Sequence, residues 1–94
     1  MNIGWSELAL EQLRAAYDYV AIDNAMAAEG MVERIFSAVE FLEQHPNLGR
    51  PGRVEGTREL VLTRTPVVIA YRLQRNHLQI LAVLHAARKW PKAF

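Results

Sequence analysis

Apolar residues recur every three or four positions through the first half of the chain, then shift to every second position in the last third. In residues 6–22, Leu10, Leu13, Tyr17 and Val20 share one side, while Glu7, Glu11, Arg14 and Asp18 share the other. That period predicts an amphipathic helix. Ser6 is placed to cap it, with Glu7 in the first turn where the helix dipole favours a carboxylate. Asp23-Asn24 interrupts the pattern with residues that favour turns and caps. A second helix then runs to about Gln44. Its apolar stripe is Ala28, Val32, Ile35, Val39 and Leu42, and Glu29, Glu33, Glu40 and Glu43 form its wet side. Gly30 inside it costs up to ~1 kcal/mol relative to Ala, which suggests a close helix crossing. Pro46 stops the helix. So short a connection predicts an antiparallel helical hairpin.

The remaining elements read as strands. Residues 2–5 form a short first strand with Ile3 and Trp5 pointing the same way. Residues 46–56, PNLGRPGRVEG, are a Gly- and Pro-rich loop, with Arg50 and Arg53 as solvated decoration. Three strands are predicted at 58–63, 67–73 and 77–85, separated by Thr65-Pro66 and by Gln74-Arg75-Asn76. In the middle strand Val67, Ile69, Tyr71 and Leu73 share one face. In the last, strict alternation puts Leu78, Ile80, Ala82 and Leu84 on one face and Gln79, Leu81, Val83 and His85 on the other. Both faces of these strands are partly apolar, so both need cover. The helical hairpin supplies one cover. The other is the chain itself or a partner, and a chain of 94 residues has little left to supply it.

Length allows one domain, residues 1–94. There are no cysteines, so a disulfide framework and a thiolate metal site are both excluded. The opening residues lack the build of a signal peptide, and no apolar run approaches the ~20 residues of a membrane span. A soluble, cytoplasmic protein is expected. Charge adds an asymmetry that the net of +1 hides. Residues 1–45 hold eight acidic and two basic residues; residues 46–94 hold two acidic and nine basic. The basic half suits a polyanion or an acidic partner, unless the halves neutralise each other internally.

Candidate chemistry lies in residues 56–91. His45, His77 and His85 lack metal-ligand spacing, and no phosphate-cradling glycine motif or nucleophile elbow is present. No metal or cofactor is expected. Arg58, Arg64 and Arg72 lie on or beside strands, and His85, Arg88, Lys89 and Trp90 cluster at the end of the last strand. Arginines grip phosphates, a histidine can move protons at neutral pH, and Trp90 could stack on a base. The same residues read structurally as a strand-end hydrogen-bonder (His85), a core lid (Trp90) and internal ion pairs.

The succession of a helical hairpin, HPNLGRPGR, GTRELV, VVIAYRL and LQILAVLHAARKWP resembles the RelE/ParE superfamily of bacterial toxins over nearly the whole chain. The resemblance implies an α+β fold, two helices on one face of a small antiparallel sheet. It also implies a cognate antitoxin that folds on the toxin in a hetero-oligomer. Superfamily members either cleave mRNA on the ribosome or inhibit DNA gyrase. The ribonucleases resemble one another in an arginine at the start of the middle strand, where Val67 and Val68 stand here. They also carry Tyr or His with basic residues after the last strand; here no tyrosine follows it. A gyrase inhibitor closer to ParE is therefore expected. As an alternative endoribonuclease, His85 would carry the proton while Arg72, Arg88 and Lys89 hold the phosphate. Contacts to target or antitoxin are expected from Arg58, Arg64, Arg72, Arg88, Lys89 and Trp90. The antitoxin segment should carry net negative charge or pair with Arg58, Arg64 and Arg72.

Overall fold

The structure, a computed structural model, describes residues 1–85. Its elements run β1 (Asn2–Trp5), α1 (Glu7–Ala21), α2 (Ala25–Gln44), β2 (Arg50–Pro51), β3 (Arg58–Val61), β4 (Val67–Gln74) and β5 (His77–His85). The five strands form one sheet in the order β1-β5-β4-β3-β2. β1 lies parallel to β5, and the other pairings are antiparallel. The sheet is therefore mixed rather than wholly antiparallel. The parallel pair follows from connectivity: α1 and α2 carry the chain away from β1 before the last hairpin returns beside it.

Both helices start where their caps are. The Ser6 Oγ accepts from the Ala9 N–H at 3.0 Å, and the Asn24 Oδ1 accepts from the Ala27 N–H at 3.1 Å. α1 buries Ala9 and Ala16, with Leu13 and Val20 packed beside them, whereas Leu10 stays half exposed. Leu13 and Val20 thus face inward as expected, while Ala9 and Ala16 take the places expected for Leu10 and Tyr17. Small alanines carry little hydrophobic signal, yet they let a helix approach its neighbours closely. α2 buries Ala28, Met31, Ile35, Val39 and Leu42, with Met31 in the place expected for Val32. A Cβ placed at Gly30 would meet nothing within 4 Å, so no close crossing occurs there.

The main core gathers Ala9, Ala16, Met31, Ile35, Val39 and Leu42 of the helices with Leu62, Val67, Ile69, Tyr71, Leu78, Ile80 and Val83. A second cluster, Ala70, Ala82 and Leu84 with Val68 against it, occupies the other face of the sheet. The strict alternation expected for β5 fails between these clusters. Ala70 pairs with Ala82 while the next residue, Tyr71, pairs with Ile80, so Leu81 is an extra residue in β5. Leu78 and Ile80 face the helices; beyond the bulge the phase flips, so Val83 faces them and Ala82 and Leu84 turn away. α1 pins this irregularity. The Ser6 Oγ donates to the Leu81 carbonyl at 2.9 Å, and the Val83 N–H donates to the Gln12 Oε1 at 2.8 Å. Both contacts lie past Ile80, the last β5 residue paired with β1. They satisfy backbone groups that β1 is too short to reach.

Ala70, Ala82 and Leu84 are at most 3% exposed. The chain itself therefore buries the centre of the second face, where a partner was the favoured cover.

Candidate functional site

Two sites follow from how β3 and β4 are built. The first is the loop between α2 and β3. Tyr71 is fully buried on β4, and its Oη accepts from the Gly49 N–H at 2.8 Å and donates to the Pro46 carbonyl at 2.7 Å. Burial pushes the Tyr71 phenol up from 10.0, while the Gly49 N–H and the nearby Arg58 charge pull it down less strongly. Arg58 pairs with Tyr71 across the ladder, and its Nη1 donates to the carbonyls of Gly49 at 2.7 Å and Asn47 at 3.3 Å. Gly49 must lack a side chain, because a Cβ there would lie 2.7 Å from the Tyr71 ring and hydroxyl.

Glu59 fixes the rest of that loop. It is 3% exposed, yet its Oε2 accepts from the Arg53 N–H at 2.9 Å and its Oε1 meets the Arg50 Nη2 at 3.3 Å. A buried carboxylate is tolerated only with such partners. Arg50 is accordingly an ion-pair partner rather than mere solvated decoration. The loop expected at 46–56 also contains β2, whose Arg50 and Pro51 pair with Glu59 and Arg58. HPNLGRPG and TRELV were visible as motifs, but their mutual attachment through Tyr71, Arg58 and Glu59 was not. The one available signal was a lone glutamate inside a strand.

Among the described residues, the expected contact residues do not form one patch. Arg58 faces the helix side with Tyr71 and grips the loop. Arg72 is the next residue along β4, so it lies on the opposite face, beside Gln79 of β5. Arg64 sits in the β3–β4 turn with a positive φ of 63°, at the other end of the strands. His85 pairs with Val67 at that same end, and its ring meets Tyr19 of α1 with 5.7 Å between centroids. Arg72 lies five positions along β4 from Val67, about 16 Å. The register thus keeps His85 and Arg72 apart and on different faces. Arg88, Lys89 and Trp90 lie outside the described residues. Among the described residues, no three His, Asp or Glu side chains gather as metal ligands would, and no helix is long and apolar enough to cross a membrane.

The second site is the outer edge of β3. β2 pairs with Arg58 and Glu59 only, so the edge is open from Leu60 onward. There it borders a groove of about 400 Å³ lined by Glu33, Arg34, Ser37 and Ala38 of α2 and by the β3 residues around Val61. Arg34 reaches across and donates from Nη2 to the Thr63 carbonyl.

Comparison with known proteins agrees with this architecture. A family model described as the ParE toxin of the type II toxin–antitoxin system parDE matches residues 3–90. Y4kP of Sinorhizobium fredii, a candidate toxin by its name, is 43% identical over 91 residues, covering 97% of this chain and 94% of its own length. Toxin RelE2 of Caulobacter vibrioides is 34% identical over 87 residues, covering 93% and 97%. Among solved structures, a chain of the chromosomal ParDE system from P. aeruginosa superposes with a TM-score of 0.80 at 33% identity, covering 90% of this chain and 95% of that one. A YoeB–YefM complex from Staphylococcus aureus gives 0.60 at 21% identity, covering 90% and 95%, a likeness of fold alone. The helical hairpin on a five-stranded sheet, matched from residue 3 to residue 90, makes this chain a member of the ParE toxin family of type II toxin–antitoxin systems.

Proposed function

We propose that this toxin arrests growth in the cytoplasm by binding and inhibiting DNA gyrase, and that a cognate antitoxin neutralises it in a hetero-oligomer. The observation that carries the reading is Val67. It stands at the start of β4, where RelE-like ribonucleases resemble one another in an arginine, and it is fully buried in the main core. Neither Val67 nor its half-buried neighbour Val68 offers a charge to a phosphate. The register supports the same reading, because His85 and Arg72 are too far apart to act on one phosphodiester. The ParDE system of P. aeruginosa, the 33%-identical structural relative, points the same way by family. Arg64 and Arg72 are the described residues left to meet a partner, since Arg58 is committed to the loop.

A supercoiling assay with purified toxin and gyrase tests the proposal. Supercoiling should fall as toxin approaches stoichiometry with gyrase, while in vitro translation continues. Undiminished supercoiling at excess toxin, with translation blocked and mRNA cut, would overturn it. Loss of that cleavage in His85→Ala would then point to the ribonuclease.

A further inference from the structure

We propose that the sheet face away from the helices, at the β4–β5 hairpin end, binds the phosphate backbone of duplex DNA. The site extends the gyrase reading, because a gyrase inhibitor works beside DNA, and its use rests on that reading. Alternation and register define the patch. Ile3, Trp5, Tyr71, Leu73, Leu78 and Ile80 pack into the main core, so Asn2, Gly4, Arg72, Gln74, His77 and Gln79 face the other way. Pairing sets these in two rows across three strands, Gly4–Gln79–Arg72 and Asn2–His77–Gln74. The rows are about 10 Å long and about 7 Å apart. Arg75 stands in the turn beyond them, and with Gln74 and His77 it lines a hollow of about 500 Å³. Gly4 makes room for the His77 ring: a Cβ there would lie 3.2 Å from its Cε1 and 3.3 Å from its Nε2. The imidazole therefore lies across β1 on this face.

The cations of this patch are not neutralised. Arg72 and Arg75 form no ion pair and no side-chain hydrogen bond among the described residues. Glu59 is the one acid in the five strands, and it already serves Arg50 and the Arg53 N–H. No acidic side chain follows it in the sequence. Arg75 also holds a left-handed φ of 55° in a two-residue turn, where glycine or asparagine suits the backbone better. What surrounds the cations selects the polyanion. Guanidinium and amide groups are common donors to phosphate oxygens. An acidic protein segment needs an apolar anchor at the centre of its interface, and the two rows offer none. A single strand needs aromatic faces for its bases, and no Phe, Tyr or Trp stands in the rows. A duplex needs neither, since its phosphates line the outside at one charge per ~1.7 Å of axis.

Fluorescence anisotropy of a labelled, mixed-sequence duplex, titrated with the full-length toxin at stepped salt, tests the site without gyrase. Binding should be micromolar at low salt and weaken steeply as salt rises, as phosphate contacts do. Arg72→Gln combined with Arg75→Asn should weaken it about tenfold and flatten the log–log salt slope by about 2, one phosphate for each cation. Arg14→Gln, which removes a cation from exposed α1, should leave affinity and slope nearly unchanged. No binding at about 100 μM toxin in low salt, or equal losses in Arg14→Gln and the double variant, would overturn the site. Tighter binding of single-stranded RNA, lost in the same double variant, would overturn the choice of DNA. Supercoiling inhibited at wild-type potency by the double variant would overturn the site's part in inhibition and leave the gyrase reading standing. A toxin that binds the duplex yet leaves supercoiling undiminished would overturn the gyrase reading and leave the DNA site.

Discussion

Tyr71 shows how one side chain sets the position of a whole loop. Its hydroxyl serves a donor and an acceptor from residues 22 and 25 positions away in sequence. Tyr71→Phe keeps the ring and orphans both, so it should lower unfolding free energy by about 1–3 kcal/mol in urea melts. The pH dependence has a definite sign. Burial raises the folded pKa above 10.0, so the stabilisation is complete below that pH and is lost as pH rises through the folded value. Wild-type stability should therefore fall more steeply than that of Tyr71→Phe as pH rises above 10.0, a comparison that urea melts at stepped pH can make. None of this was legible beforehand. Tyr71 read only as one apolar member of an alternating strand. A hydroxyl's partners are set by long-range packing, not by local pattern.

Elements were far more legible than their joins. Both helices and the last three strands stood out because each has its own period or its own breaker: Ser6 and Asn24 at helix starts, Pro46 after α2, Thr65-Pro66 between strands. The bulge at Leu81 was hidden, because a run of apolar residues on both faces carries no phase marker to register a one-residue insertion. β2 was hidden too, since two residues inside a Gly- and Pro-rich loop have no period at all. α2 offers a direct test of how local its stability is. Gly30 sits in mid-helix with open space where a side chain would go. Gly30→Ala should stabilise the toxin by up to about 1 kcal/mol, read as a rise in thermal midpoint. A fall instead would mean that Gly30 is held close to another surface after all.

Over the whole molecule, the charge asymmetry survives folding but changes meaning. The sequence offered Arg58, Arg64 and Arg72 as one basic set for an acidic antitoxin segment; the sheet separates them by face and by end. Segregated composition does not make a patch when a strand's alternation and length intervene between the charges. The three arginines should then behave as three different residues. Arg58→Ala removes the donor that holds the Gly49 and Asn47 carbonyls, so it should destabilise the fold by about 1–2 kcal/mol and affect binding only through the loop. Arg64→Glu and Arg72→Glu should leave the melting curve nearly unchanged, as substitutions on partly or fully exposed side chains do. Their effects on antitoxin affinity should add to within about 0.5 kcal/mol in the double variant, because about 16 Å of β4 lies between their ends of the strand. Titration calorimetry on the two single variants and the double decides it. A coupling well beyond that value would require both arginines to meet one group on the antitoxin, which their opposite ends of the sheet forbid.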